Sequence, residues 1–267
     1  MSVYAKENPA FLKSSLQSVL DQTRPPNEIV VVKDGSLTEE LDAVIDRYSD
    51  QHPRIFKVVG YPSNKGLGEA LNFGMKHVTS ALVARMDGDD VSVRMRFEEQ
   101  IGYMEEHPDI AVLGSAIAEF HTDPNQIMRT RSVPENHEQI VARAKLMNPM
   151  NHMTVVFRTQ QVKNAGGYRH MPYFEDYDLW VRMLNQGMKF HNLPVSLVYA
   201  RVGNDMVGKR HGFKYAGYEF SHFKNMQKTG FIGTMTLCKA LLLRLPLRVM
   251  PKPLLMGFYR FVLRKDL

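Results

Sequence analysis

The sequence predicts an α/β fold, because helical stripes of apolar residues alternate with short β-branched runs along its first half. Residues 28–32 and 81–86 are two such runs, and an acidic turn follows each of them. Strands that are separated by helices form a parallel sheet with helices on both faces. The chain has 267 residues, of which 44% are hydrophobic and 23% charged, so it is long enough to bury a large core.

The elements of the first half can be assigned in order. Asn8 is suited to cap a helix that begins at Pro9, where a missing N–H costs nothing. Ser36 and Glu39 have the spacing of a capping box, which predicts that the second helix begins there. We further expect strands at residues 28–32, 55–59, 81–86 and 110–118, and helices at 66–77 and 94–107.

The alternation stops near residue 120. Residues 121–151 are polar and contain three prolines, residues 153–158 are strand-like, and residues 175–186 form a helix that Gly187 ends. The single cysteine, Cys238, excludes an intrachain disulfide. The N-terminus has no apolar leader and no run of about 18 apolar residues exists, so we expect neither a signal peptide nor a membrane-spanning helix.

The net charge of +6 comes from the C-terminal part of the chain. Residues 239–267 contain seven basic residues and one acidic residue, whereas the preceding 238 residues contain 27 of each. A neutral main part argues against binding to nucleic acid. In the tail, 17 of 29 residues are apolar and prolines divide it into short pieces, which suits contact with an anionic membrane. The alternative is a helical hairpin packed on the main domain, with its basic side chains in solvent.

Three acidic segments are candidates for chemistry. Asp87-Gly88-Asp89-Asp90 crowds three carboxylates at a strand end, and Mg²⁺ and Mn²⁺ prefer such oxygen ligands. Asp34-Gly35-Ser36 offers a carboxylate that can accept hydrogen bonds from a base or ribose. Glu175-Asp176 opens a helix and offers a general base. Each segment also has a purely structural interpretation. Residues 87–90 could be a solvated acidic turn, residues 34–36 a turn that caps a helix, and Glu175-Asp176 a pair that stabilises a helix start through the helix dipole.

Together, these segments resemble the family 2 glycosyltransferases, which have the A-type fold. That family carries a D-G-S turn, an N-x-G segment, a D-x-D-D turn and a later E-D pair. The same order is found here as Asp34-Gly35-Ser36, Asn64-Lys65-Gly66, Asp87-Gly88-Asp89-Asp90 and Glu175-Asp176. Residues 33–38 and 148–154 are similar to the bacterial amylovoran-type enzymes that build O-antigen, capsule and exopolysaccharide repeat units.

The resemblance implies a Rossmann-like A-type domain with a mainly parallel central sheet at residues 1–205. Its nucleotide-binding half would be residues 1–118 and its acceptor-binding half residues 119–205, followed by a basic, amphipathic, helical C-terminal extension at residues 206–267. Family members usually open with a full apolar strand, of which only the first four residues are present here. We therefore expect a short first strand, or a start site that lies several residues late.

The resemblance also implies roles in an inverting transfer from a UDP-sugar. Asp34 would hold the nucleotide base, and Asp87 would face the ribose. Asp89 and Asp87 would bind the divalent metal, Mn²⁺ or Mg²⁺, that bridges the diphosphate. Asp176 would take the proton from the acceptor hydroxyl. The nucleotide pocket would be completed by Tyr4, Glu7 and Lys65.

Other side chains have two interpretations each. His152 is either a ligand for a metal or acceptor, or a hydrogen-bonded, partly buried histidine. Trp180 belongs to the core or borders the acceptor site. A mobile lid over the diphosphate, or a solvated basic loop, would be formed by Arg201, Lys209, Arg210 and His211.

We therefore expect a metal-dependent glycosyltransferase that is peripheral on the cytoplasmic face of a bacterial membrane. It would transfer a hexose, galactose or glucose by preference, from UDP to a sugar on undecaprenyl diphosphate in O-antigen, lipopolysaccharide or capsule biosynthesis. The alternative is another nucleotide-using α/β transferase such as a nucleotidyltransferase, which would release diphosphate. A dehydrogenase lacks support because no Gly-x-Gly-x-x-Gly segment follows the first strand. A non-enzymatic binding module would leave the acidic turns without a purpose.

Overall fold

The structure is a computed structural model that describes residues 1–203 and 210–250. The chain divides into two units, Met1–Val202 and Gly203–Leu267. In chain order, the elements of the first unit are β1 (Ser2–Val3), α1 (Pro9–Leu20), β2 (Ile29–Asp34), α2 (Glu39–Gln51), β3 (Phe56–Tyr61), α3 (Leu67–Met75), β4 (Leu82–Ala84), β5 (Val91–Ser92), α4 (Arg96–Glu106), β6 (Ile110–Phe120), β7 (Arg129–Arg131), α5 (His137–Ala144), a 3-10 turn (His152–Thr154), β8 (Val156–Arg158), α6 (Thr159–Asn164), α7 (Glu175–Asn185) and β9 (Lys189–Arg201).

The strands of the first unit form two sheets. The first sheet has the order β1-β2-β3, and all three strands run parallel. The second has the order β4-β8-β6-β9-β5, with β7 paired to β6. Its longest pairing joins β6 and β9 in parallel, from Ile110–Lys189 to Phe120–Arg201, whereas its antiparallel pairings span two or three residue pairs each. The predicted α/β class with mainly parallel pairing is confirmed.

The helix starts test the predicted caps. Asn8 caps α1, since its side chain accepts the main-chain N–H groups of Ala10 and Phe11. The capping-box prediction at Ser36 is wrong, because Thr38 is the N-cap of α2 and the Ser36 hydroxyl bonds to the carbonyl of Pro62. Gly35 sets this geometry, since its φ is +88° and a Cβ there would lie 2.6 Å from the amide nitrogen of Asn64.

The second half contains more regular structure than its polar sequence predicts. Residues 121–151 include β7 and α5, and Asn136 caps α5 by accepting the N–H of Gln139. β9 was not predicted, because it contains Pro194 and a mixed polar pattern. It is stabilised by β6, whose residues are buried along the whole strand. Trp180 is fully buried and packs edge-on against Phe190 at 5.8 Å, as the core interpretation predicts.

A cavity of about 340 Å³ lies between the two sheets. It is lined by Met1, by Val30 and Val32 of β2, and by residues 82–84 of β4. β1 and β4 are edge strands of their sheets, and β4 together with Met1, the residue before β1, lines this cavity. β1 has only two residues, which agrees with the expectation of a short first strand.

The described part of the second unit is a helical hairpin of α8 (Phe213–Lys228) and α9 (Thr234–Val249). Glu219 of α8 is fully buried and accepts hydrogen bonds from Arg244 at 2.6 Å and Arg248 at 2.8 Å. Burial alone would raise the pKa of Glu219, but the bond from Arg248 and the two arginine charges outweigh it and lower the pKa. Two of the seven basic residues of the tail therefore neutralise a buried carboxylate inside the hairpin.

The prediction that prolines divide the tail into short pieces is wrong for Pro246, which lies inside α9. Leu242, whose carbonyl loses its helical partner through Pro246, is exposed, so water can replace the missing donor. Pro251 and Pro253 lie outside the described residues. Among the helices of residues 1–203 and 210–250, none combines the length and the apolar character needed to cross a membrane.

Candidate active site

Three aspartates on the turn after β4 form the most concentrated negative charge of the described chain. One carboxylate oxygen each from Asp87, Asp89 and Asp90 lies within 4.8 Å of the others. Asp90 is buried and accepts the main-chain N–H of Arg201 at 2.8 Å, whereas Asp87 and Asp89 are partly exposed. Burial and then the charge of Asp87 raise the pKa of Asp89, and the same causes act more strongly on Asp90.

The donor set of this turn fits a divalent cation. It consists of carboxylate oxygens alone, which Mg²⁺ and Mn²⁺ prefer. Burial and then repulsion by the neighbouring carboxylates raise the pKa values of Asp89 and Asp90, and a cation would relieve that repulsion. Asp87 and Asp89 are the two with exposed surface, so they are the ones able to reach an incoming ion.

The main chain of the acidic turn is held by two other elements. Ser15 of α1 donates its hydroxyl to the carbonyl of Asp87 at 2.7 Å. Arg201, at the end of β9, donates its Nε to the carbonyl of Asp89 at 3.1 Å, and its guanidinium lies 3.8 Å from the ring centre of Phe11. Ser15 had no predicted role in the site. Arg201 was predicted only as part of a candidate lid.

Of the other three lid candidates, only Arg210 and His211 lie within the described residues. Lys209 lies outside the described residues, and Arg210 is exposed. A ring nitrogen of His211 lies 2.7 Å from the carbonyl oxygen of Met250, within the second unit.

Arg85 is a buried cation that the sequence analysis missed. It follows β4, is 5% exposed and forms an ion pair with Asp87. Its charge also opposes the rise in the pKa values of Asp89, Glu175 and Asp176. Carboxylates from two separate segments therefore lie in the surroundings of one arginine. The only sequence signal was a basic residue inside an apolar run two positions before the acidic turn.

Glu175 and Asp176 occupy the first turn of α7, where the N–H groups of the helix favour negative charge. Asp176 accepts a hydrogen bond from the side-chain amide of Asn148 at 2.6 Å and another from the N–H of Tyr177 at 2.7 Å. Burial raises the pKa of Asp176 and these bonds oppose the rise. Burial and then the charge of Asp176 raise the pKa of Glu175 to about 7.

Asp34, at the end of β2, is buried and its carboxylate accepts four hydrogen bonds from the side chain or main chain of four residues. Oδ1 bonds to the hydroxyl of Tyr61 at 2.8 Å and the N–H of Lys65 at 2.7 Å. Oδ2 bonds to the side-chain amide of Asn64 at 3.0 Å and the N–H of Gly66 at 3.1 Å. A contact between Asp34 and a nucleotide base would require one of these donors to be displaced.

Residues 64–66, which bond to Asp34, are followed by α3, and the first turn of α3 packs against the start of α7. A Cβ at Gly68 would lie 2.7 Å from the carbonyl oxygen of Arg169 and 3.2 Å from the Cβ of Glu175. The Lys65 ammonium lies 4.8 Å from the ring centre of Tyr61, beside Asp34. Asp34 and Lys65 therefore form one group, which α3 joins to Glu175.

Tyr4 and Glu7, on the loop between β1 and α1, border the acidic turn. The carboxyl carbon of Glu7 lies 3.9 Å from the position of a Cβ at Gly88. Burial and then the charges of Glu7 and Asp89 raise the pKa of the Tyr4 hydroxyl. The structure thus brings Tyr4 and Glu7 together with Asp87 and Asp89. Asp34, at the end of β2, and Lys65, before α3, form a second group.

His152 has a partner inside the protein. One ring nitrogen lies 3.0 Å from the hydroxyl of Tyr168, and the histidine is partly buried. Burial and then the charge of Arg85 lower the pKa of His152 well below its usual value. This agrees with the interpretation of His152 as a hydrogen-bonded, partly buried histidine.

Comparison with known proteins identifies the family. Residues 1–164 match the model of Glycosyl transferase family 2. The amylovoran biosynthesis glycosyltransferase AmsE of Erwinia amylovora is 40% identical over 263 residues, covering 97% of this chain and 96% of AmsE. The Escherichia coli UDP-Gal:alpha-D-GlcNAc-diphosphoundecaprenol beta-1,3-galactosyltransferase is 31% identical over 269 residues, covering 100% of this chain and 96% of that enzyme.

A solved structure shows the same fold. The mannosyltransferase PcManGT from Pyrobaculum calidifontis, in complex with GDP-Man and Mn²⁺, has a TM-score of 0.67 and covers 97% of this chain. This chain covers 74% of that protein, and the two sequences are 15% identical. The predicted A-type fold is thus confirmed.

Proposed function

The chain belongs to glycosyl transferase family 2, and we propose that it transfers a hexose from a UDP-sugar to a sugar on a lipid diphosphate. The observation that carries the proposal is the gathering of Asp87, Asp89, Glu175 and Asp176 around Arg85. Residues 1–118 would bind the nucleotide and residues 119–205 the acceptor. The product would enter the synthesis of a bacterial surface polysaccharide such as O-antigen, lipopolysaccharide or capsule.

The choice of donor and acceptor rests on similarity along the whole chain. The galactosyltransferase relative uses UDP-Gal and GlcNAc-diphosphoundecaprenol, as its name states, and its match covers 100% of this chain. The AmsE relative acts in amylovoran biosynthesis. Galactose, and after it glucose, are therefore the first hexoses to test, with N-acetylglucosamine on undecaprenyl diphosphate as the first acceptor.

In the proposed mechanism, Asp87 and Asp89 would hold a divalent cation, Mn²⁺ or Mg²⁺, which would supply positive charge against the developing negative charge of the UDP leaving group. Asp176 accepts the proton of the acceptor hydroxyl as its oxygen forms a bond to the anomeric carbon. The bond from that carbon to the phosphate oxygen breaks, and UDP leaves with the electron pair. Inversion of an α-linked donor gives a β linkage.

The nucleotide would be bound from two loops. Tyr4 and Glu7 border the acidic turn from the first loop. Asp34 has no free acceptor position, so we propose that it acts by fixing residues 64–66, whose Lys65 side chain is exposed. Nucleotide binding would then depend on Asp34 through the shape of this loop.

Transfer can be tested with the purified chain, Mn²⁺, UDP-galactose or UDP-glucose, and a synthetic GlcNAc-diphosphate-lipid. We expect release of UDP and a β-linked disaccharide-lipid, and loss of this release when a chelator removes the metal. The nucleotidyltransferase alternative is tested in a separate reaction with UTP and a hexose 1-phosphate, from which such an enzyme would release diphosphate. If neither UDP-galactose nor UDP-glucose supports transfer, the proposed donor is contradicted.

We also propose that the second unit binds the surface of an anionic membrane, where a lipid-linked acceptor resides. Its sequence has twelve basic and three acidic residues between positions 203 and 267. Along α9, Met235, Leu242 and Val249 recur at intervals of seven residues, and all three are exposed. Lys239 is exposed on the same stripe, while Arg244 and Arg248 bind Glu219. An apolar stripe with adjacent basic residues is typical of interfacial helices.

This surface predicts the behaviour of a double variant. Replacing Leu242 and Leu243 by glutamate in the intact chain should reduce sedimentation with phosphatidylglycerol vesicles several-fold, because it adds charge repulsion and removes apolar contact. Met128→Glu is a matched control, since Met128 is an exposed apolar residue of the first unit. Equal sedimentation of the double variant and the unmodified chain would contradict membrane binding through α9.

A further inference from the structure

We infer that Asn148 is a positioning residue, which orients the carboxylate of Asp176 and favours its charged form. This inference rests on the proposed role of Asp176 as the proton acceptor. The side-chain nitrogen of Asn148 lies 2.6 Å from Oδ2 of Asp176, a short hydrogen bond to a charged acceptor. Neither composition nor spacing had given Asn148 a role.

The orientation of the Asn148 amide is fixed by a second bond. Its Oδ1 accepts the main-chain N–H of Met150 at 3.2 Å, so the NH₂ group must face Asp176. The other carboxylate oxygen of Asp176 accepts the N–H of Tyr177. Both oxygens are thereby tethered, and the carboxylate is restrained from rotating away from an incoming hydroxyl.

The loop that carries Asn148 is anchored to the helix that carries Asp176. The hydroxyl of Tyr177, the next residue on α7, donates to the carbonyl of Ala144 at the end of α5 at 2.7 Å. Pro149 follows Asn148 and disfavours helical backbone at that position. Pro149 is itself buried. The distance between Asn148 and Asp176 is therefore set by packed elements at both ends.

The charges around Asp176 determine what the bond does. The charge of Arg85, at the end of β4, lowers the pKa of Asp176. The charge of Asp176 in turn raises the pKa values of Glu175, on its own helix, and of Tyr168, after α6. Burial raises the pKa of Asp176, and the bond from Asn148 is the strongest effect that lowers it. A donor to the charged form keeps a larger fraction of Asp176 deprotonated at a given pH.

The pH profile of kcat provides the test. Asp176 must be deprotonated to act, so removing a donor that favours its charged form raises its pKa and moves the acidic limb of the profile to higher pH. We expect this shift for Asn148→Ala, and a larger one for the isosteric Asn148→Asp, which replaces a donor by a like charge. Asn164→Ala, an exposed change on α6, should leave the limb unmoved.

The possible results separate this inference from the function on which it rests. If Asp176→Asn transfers sugar as fast as the unmodified chain, the proposed function of Asp176 fails. If Asp176→Asn is inactive but both Asn148 variants lose rate equally at every pH, with the acidic limb unmoved, the positioning role is overturned. Because Asn148→Asp preserves size, its melting temperature and the KM for the UDP-sugar serve to check that the fold and the donor site are intact.

Discussion

Replacing Asp176 by asparagine is expected to lower the rate of sugar transfer by about 10²–10⁴-fold, the usual contribution of a general base. The variant keeps the size of the side chain and one oxygen for the amide of Asn148, but its NH₂ group cannot accept the N–H of Tyr177, so its melting temperature is compared with that of the unmodified chain. What it loses is the ability to take the acceptor proton. The rate is measured as UDP released in the presence of the lipid-diphosphate acceptor, with binding of the UDP-sugar measured separately.

A matched substitution at Asp46 separates this effect from a general loss of charge. Asp46 is an exposed residue of α2, so Asp46→Asn should transfer sugar at the unmodified rate. If Asp176→Asn also retained a rate within about threefold of the unmodified chain, a range of under 1 kcal/mol in activation energy, Asp176 would not be the base.

Asp89→Asn is expected to weaken Mn²⁺ binding and to lower kcat/KM by about 10²-fold or more, because one of two partly exposed carboxylates of the acidic turn is lost. Asp87 keeps its ion pair with Arg85, so the variant retains part of the site. Raising the Mn²⁺ concentration should therefore restore part of the rate. The measurement is the Mn²⁺ dependence of UDP release for both chains.

The reverse pattern would count against a metal at this turn. An Asp89→Asn chain with the same Mn²⁺ midpoint as the unmodified chain would place the ion elsewhere. A similar loss of rate in Asp46→Asn would point instead to a nonspecific effect of charge.

The parts of the site that the sequence predicted are those with a local signal. Asp87, Asp89 and Asp176 stand out because they lie in short acidic segments at a strand end and at a helix start, in the same order as the motifs of the family. The strands β2 and β3 and the helices α1 and α7 also have a local signal, since their apolar spacing is intrinsic to each segment.

The parts that escaped prediction depend on contacts between distant segments. Arg201 reaches the acidic turn across 112 residues of sequence, and Asn148 reaches Asp176 across 28. The sequence identified Arg201 only as a lid candidate and Asn148 only as part of the similar segment 148–154, and neither pattern predicts these contacts. Arg85 was missed because a cation in an apolar strand is only explained by the partners that surround it in the fold.

The basic tail illustrates the same limit on charge counts. Its excess of positive charge was predicted to face lipid headgroups, yet Arg244 and Arg248 bind the buried carboxylate of Glu219. A single acidic residue on α8, outside the basic segment, accounts for both. Net charge alone therefore does not reveal which basic side chains remain available to a surface.

The anchoring of the acidic turn by Ser15 and Arg201 has a thermodynamic consequence for ligand binding. These hydrogen bonds are made when the chain folds, so the proposed ion and nucleotide would meet a turn whose main chain already has these two contacts. Calorimetry should then record only the heat-capacity change of the surface that the ligand covers, without the added contribution of a loop that folds on binding.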